Sequence, residues 1–210
     1  MHVEKKHLTY TAEQMIKISA VAKSAYDEIL EAISNMVGNI NNSKKKINSV
    51  TPIKAGFVNM LTDDYHWEAE HHLQVLRDSV SKFDNDGGNR RKRGQGGGID
   101  VYKEFDFQGY KFRVGIEFET GNVASVHRSL NKLSMGLQSR ELDMIFLILP
   151  VFNLAQYLTD RVANYEEIEA YFPLLSEKTF VALGFDAENY SPDYPVFEKG
   201  KDGNAPKQVD

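Results

Sequence analysis

"GIEFETGN", residues 115–122, sets two acids, Glu117 and Glu119, two positions apart inside an otherwise apolar run. Successive strand residues point to opposite faces, so Glu117 and Glu119 share a face with Arg113 and Gly115, while Val114, Ile116 and Phe118 take the other. Just upstream, "IDVYKEFDF" (99–107) is a second β run, and Gln108-Gly109 between the two is a hairpin signal. Asp100 stands at the entrance of that first strand, so three carboxylates, Asp100, Glu117 and Glu119, are able to converge at one end of the hairpin. Like charges that close repel and raise one another's pKa unless a divalent cation or an opposite charge sits among them. Hard oxygen donors of this kind suit Mg2+ or Mn2+, ions that commonly work on phosphate esters. A plainer reading stands beside this one: a half-exposed sheet with an acidic solvent face, and Lys103, Lys111 or Arg113 as cross-strand partners. Spacing alone does not choose between them.

Outward from the hairpin, "LDMIFLILP" (142–150) reads as a buried strand of the kind central strands of mixed sheets show, and "TFVALGF" (179–185) as a last strand. Helical spacing runs over residues 11–37, with Thr11 as cap and Gly38 as stop, and again over Pro52–Leu61, Tyr65–Phe83, Val123–Arg140, Leu154–Val162 and Tyr165–Tyr171. Helices around a central mixed β-sheet make an α/β fold, a single domain spanning residues 1–210. Within it, residues 84–98 form a flexible, basic, glycine-rich loop, and residues 191–210 an extended C-terminal arm.

Composition narrows the function. Hydrophobic residues at 41% and aromatics at 11% fit a folded globular chain. There is no cysteine, which excludes cysteine catalysis and thiolate zinc sites. The start, "MHVEKKHLTY", has no apolar stretch behind it, and the longest apolar run is far too short to span a bilayer, so a cytoplasmic protein with no membrane partner is expected. A net charge of −5 argues against a general nucleic-acid coat, though acids serving as metal ligands lower that total without weakening a local basic surface. "HWEAEHH" (66–72) lacks the HExxH order, so an amphipathic helix face with Trp67 buried is the better reading than zinc. Arg90 to Arg93 would touch phosphates or simply be solvated, the glycine run lacks the Lys-Ser/Thr of a P-loop, and no Gly-x-Ser-x-Gly elbow is present.

Four stretches together carry a more specific signal: "GIDVYKEF", "VGIEFETGNVASVHRSLNKL", "YLTDRVANYEE" and "EAYF", in that order. They closely resemble the BamHI-type restriction endonucleases, a branch of the PD-(D/E)xK nuclease superfamily. The similarity runs from about Thr51 to Gly203 with one long insertion, and more faintly through the first helix. In the superfamily an Asp opens one strand and an acid-x-Lys motif follows on the next. The BamHI type carries Glu in the lysine's place, as this chain does in Glu117-Phe118-Glu119.

The resemblance implies a restriction-endonuclease-like fold and a homodimeric, Mg2+-dependent type II endonuclease, with Mn2+ as a substitute. Its substrate would be palindromic duplex DNA, GGATCC cut after the first G or a close variant, with a cognate methyltransferase in the host. It implies that Asp100, Glu117, the Phe118 carbonyl and Glu70 bind the metal, and that Glu119 orients or deprotonates the attacking water. Asn122, Arg128, Asp160 and Arg161 fall at base-reading positions, Arg being suited to guanine and Asp to cytosine. Two of these also have plain readings, Asn122 as a helix cap and Asp160 with Arg161 as a surface pair. Ala124 stands where the family has Ser, which puts the reading of one base pair in doubt. Asp202 and Gly203, in "KGKDGN", match an arm that reaches the minor groove. The helices holding His127 to Leu137 and Tyr157 to Tyr165 become dimer candidates, although Leu130 and Leu133 suit core packing equally well. Two rival classes stay open: a DNA-binding protein of the same fold with little or no cleavage, and a metal-dependent phosphodiesterase of other specificity.

Overall fold

The computed structural model of the chain describes residues 1–76, 98–159 and 161–198. Most of the basic glycine-rich stretch, together with Asp160, Asp202 and Gly203, therefore lies outside the described residues.

Strands β1 (His2–Leu8), β3 (Glu68–His71), β4 (Ile99–Phe107), β5 (Tyr110–Phe118), β6 (Met144–Pro150) and β7 (Phe180–Asp186) form one sheet in the order β1-β7-β6-β5-β4-β3. The inner three, β5, β6 and β7, run parallel; β1, β4 and β3 join antiparallel at the two sides. A separate parallel pair joins β2 (Asn39–Asn41) to β8 (Asn189–Ser191), just before the C-terminal segment. Every residue of β6 is buried, which is what strands covered on both faces require and why its sequence is continuously apolar. The expected hairpin is present: Phe107 pairs with Tyr110, and Gln108 and Gly109 both take positive φ, the primed turn that matches strand twist.

Helices cover both faces. On one side lie α1 (Tyr10–Ile18), α2 (Ala20–Ser34) and α3 (Thr51–Asn59), which brings Phe57 to 4.8 Å from Phe118. On the other lies α4 (Val123–Gln138), whose Val126, Leu130 and Leu133 are buried. Short helices α5 (Phe152–Ala155) and α6 (Tyr165–Ile168), the latter continued as a 3-10 turn over Glu169–Leu175, finish the layer.

Several elements depart from the sequence expectations. The helix expected over residues 11–37 is two helices, because Ser19 is extended: its N–H ends α1 on the Met15 carbonyl and its hydroxyl caps α2 at Ala22. Thr9, not Thr11, caps α1. The helix expected over Tyr65–Phe83 is in its first part the edge strand β3, although Trp67 is buried as expected and donates from Nε1 to Glu28 Oε2 at 2.7 Å. The helix expected over Leu154–Val162 ends at Ala155. Strand β1 was not expected at all. Both unforeseen strands are edges of the sheet and rich in charge, the usual protection of an exposed edge, which erases the apolar alternation that marks a strand.

Replacing Phe57 with Ala, which removes its contact with Phe118, is expected to lower the unfolding free energy by about 3–5 kcal/mol in a urea titration. A loss below about 1 kcal/mol would contradict the packing of α3 on the sheet.

Candidate active site on the central strands

Strand alternation carries Glu117 and Glu119 to the face of the sheet opposite Phe118, and α4 then closes over them. Glu117 keeps 2% and Glu119 8% of its surface exposed, so the acids do not form a solvent-washed sheet face. The basic residues that would have partnered such a face are engaged elsewhere: Lys103 with Glu28, Lys111 with Glu104 and Asp106, Arg113 with Asp143. Burying carboxylates is unfavourable without compensation.

That compensation comes from four places. Ser129 Oγ lies 3.0 Å from Glu117 Oε2 and 2.5 Å from Glu119 Oε1. Lys132 Nζ is paired with Glu117 Oε1 and donates to the Gly98 carbonyl at 2.9 Å. On the neighbouring strand Asp100 Oδ2 accepts from the Phe118 N–H at 2.9 Å, and Lys54 Nζ reaches Asp100 Oδ1 at 2.7 Å from α3. Even so, the Glu117 carboxyl is pushed up to about 7, first by burial and then by the charge of Asp100, with Lys132 and Ser129 pulling it back.

Glu70 sits on β3 with positive φ and is exposed; together with Asp100, Lys54 and Asn59 it lines a cleft of about 330 Å³. Gly98, which enters β4, is fixed by sterics: a Cβ there would lie 2.6 Å from the Glu70 carbonyl oxygen. The closing end of the glycine stretch and the strand bearing Glu70 are thus in contact.

Around the start of α4 a second concavity of about 410 Å³ gathers Asn122, Ala124 and Arg161. Asn122 is the α4 cap, its Oδ1 accepting from the Ser125 N–H at 3.0 Å, which leaves its amide NH2 to donate outward. The Ala163 N–H donates to the Gly121 carbonyl at 2.8 Å and ties the Arg161 segment to this helix start. Arg128, one turn beyond Ala124, is exposed on the same helix face. Asn122, Ala124 and Arg161 are therefore brought together, with Arg128 one turn along the same helix; Asp160, Asp202 and Gly203 lie outside the described residues.

Sequence reasoning missed Ser129, Lys132 and Lys54. The first two did leave a signal: a serine and a lysine stand in the inward stripe of an amphipathic helix otherwise made of Val126, Leu130, Leu133 and Gly136. Among the described residues no group of three or more His, Asp or Glu side chains is arranged to hold a metal ion. Asp100 and Glu117 nonetheless fit a hard cation that keeps most of its waters: Mg2+ needs only one or two carboxylates, and the mutual repulsion of these two is what such an ion relieves.

In the metal-free protein Glu117 is expected to make stability fall as pH rises from about 4.5 to about 7. In that window the folded chain retains a proton that the unfolded chain has released, so the unfolded state is favoured as protons are withdrawn. Denaturant titrations across this range should reveal the slope in the native chain and a flatter one in Glu117→Gln.

The family model described as "Restriction endonuclease BamHI" matches residues 1–204. The chain is 38% identical over 216 residues to the type II restriction enzyme BamHI of Bacillus amyloliquefaciens, covering all of this chain and 95% of that one. It is 28% identical to the type II restriction enzyme OkrAI of Oceanobacter kriegii over 78% of this chain and 77% of that one. The crystal structure of restriction endonuclease BglII complexed with a DNA 16-mer superposes with a TM-score of 0.55 over 90% of this chain and 85% of that one, at 13% identity, which speaks for the fold alone. The chain belongs to the BamHI family of restriction endonucleases.

Proposed function

We propose that this chain is a site-specific type II deoxyribonuclease that hydrolyses one phosphodiester bond per strand of a palindromic duplex, with GGATCC, cut after the first G, as the target. The observation that carries the proposal is the pair Asp100 and Glu117 on neighbouring strands, Glu117 buried and Asp100 lining the cleft that also holds Glu70. A relative of 38% identity named as a type II restriction enzyme supports the same reading.

In this account Asp100, Glu117, the Phe118 carbonyl and Glu70 hold Mg2+, which Mn2+ replaces. When bound, such an ion lowers the pKa of a water and offsets charge building on the scissile phosphate. Glu119 orients the attacking water or takes its proton; the water oxygen bonds to phosphorus as the bond to the 3′ oxygen breaks, and that oxygen takes a proton from solvent water. With Glu119 in the place where related nucleases carry a lysine, no side chain at that position supplies positive charge, so activity depends strictly on the cation. Asn122, Arg128, Arg161 and Asp160 read base edges in the major groove, and Asp202 and Gly203 contact the minor groove. Arg90 to Arg93 add phosphate contacts without adding sequence information.

A twofold target calls for a twofold protein, so the working form is a homodimer, cytoplasmic, alongside a methyltransferase that protects host DNA. Among the described residues no helix is long and apolar enough to cross a membrane. The Lys54 and Lys132 pairs with Asp100 and Glu117 favour a second reading, in which the acids are structural and the chain binds DNA without cutting it.

A plasmid with one GGATCC site, incubated with Mg2+, with Ca2+ and with chelator and then sequenced by run-off, separates these readings. Discrete cleavage after the first G with Mg2+ alone is expected, and its loss by at least about a hundredfold in Glu117→Ala and Glu119→Lys, with duplex binding retained. Duplex binding without cleavage would favour the silent binder, and unselective nicking a phosphodiesterase. Ala124→Ser is expected to change the relative cleavage of sites differing at one base pair, measured on a panel of single-substitution duplexes.

A further inference from the structure

Ser129 touches both acids of the 117–119 pair. Its Oγ is 3.0 Å from Glu117 Oε2 and 2.5 Å from Glu119 Oε1, and the residue is 1% exposed, so no solvent competes for the hydroxyl. A hydroxyl has one hydrogen and two acceptor lone pairs, so it donates to one carboxylate at a time while lying within contact of the other. The two acids come from one strand and share one face, where nothing in the strand itself prevents their side chains from splaying apart. Lys132, one turn further along α4, fixes the second oxygen of Glu117 and joins it to the Gly98 carbonyl. The same helix exposes Arg128, the residue immediately before Ser129.

We propose that Ser129 is a positioning residue of the hydrolytic centre: from α4 its hydroxyl holds Glu117 and Glu119 side by side, so that cation ligand and water-orienting base are set before cation and DNA arrive. This rests on the catalytic reading of the two acids given above. Without the hydroxyl the carboxylates must be reordered by the incoming cation, and that ordering cost weakens binding. Neither touching DNA nor exchanging a proton with it is required of Ser129; it acts through the two acids.

Three proteins decide the matter: the native chain, Ser129→Ala, and Ser129→Thr, which restores a hydroxyl. Calorimetric binding of Ca2+ in the absence of DNA is measured for each, together with the Mg2+ half-saturation and kcat on a one-site duplex and the melting temperature. Ser129→Ala should bind Ca2+ about tenfold more weakly, the effect of one lost hydrogen bond to a charged group, with a matching rise in Mg2+ half-saturation, and Ser129→Thr should recover most of both. Unchanged Ca2+ binding and Mg2+ dependence in Ser129→Ala would overturn the proposal. So would equal losses in both variants accompanied by a lower melting temperature, which would assign Ser129 to packing. If the native chain cuts no duplex, the nuclease reading falls while the Ca2+ comparison still decides the role of Ser129; a native chain that neither cuts nor binds Ca2+ overturns both.

Discussion

Two carboxylates buried on one face of a central strand are the constraint around which this molecule is arranged. Glu117 and Glu119 occupy positions that strand alternation would otherwise fill with apolar side chains, as Ile145 and Leu147 do on the neighbouring strand. Removing such groups from water is costly unless charge and hydrogen bonds replace the hydration. Lys132 and Ser129 from α4 on one side, and Lys54 from α3 acting on Asp100 on the other, supply that replacement. The compensation is incomplete for Glu117, whose carboxyl is held up at about 7, and an unrelieved pair of acids is a place where a hard cation gains more than it would at the surface.

One helix serves both ends of the problem. The inward stripe of α4 holds the acids through Ser129 and Lys132, while its start presents Asn122 and Ala124 next to Arg161 and its outward side exposes Arg128. One sixteen-residue helix thus carries both that surface and the side chains that contact the acids. The cap from Asn122 and the tie from Ala163 to Gly121 set the shape of that end, and exposed Ala124 takes no part in either.

Much of this was legible in the sequence, for reasons that differ by element. The hairpin, β6 and α4 declare themselves because period-two alternation, an unbroken apolar run and an amphipathic stripe each follow from how those elements are buried. Glu117 and Glu119 stood out as acids inside an apolar run, and Asp100 as an acid at the entrance of the preceding strand. Strands β1 and β3 did not, since their charges answer to their place at the sheet edge rather than to a core, and the histidines and Trp67 around β3 happened to fit helical spacing. Ser19 has a side chain equally at home inside a helix or at its cap, so the break between α1 and α2 left no mark. Ser129 and Lys132 were missed although they interrupt the apolar stripe of α4, and Lys54 because its role depends on α3 meeting β4, which no local pattern encodes.

The proposal turns on whether Asp100 and Glu117 take up a divalent cation in exchange for their pairs with Lys54 and Lys132. Anomalous diffraction from crystals of the native chain soaked in Mn2+ tests it most directly. A Mn2+ peak bound by Asp100, Glu117 and the Phe118 carbonyl, with Lys54 and Lys132 withdrawn from the acids, is the result this account predicts. Crystals with no Mn2+ there, and both lysines still paired with the carboxylates, would contradict it.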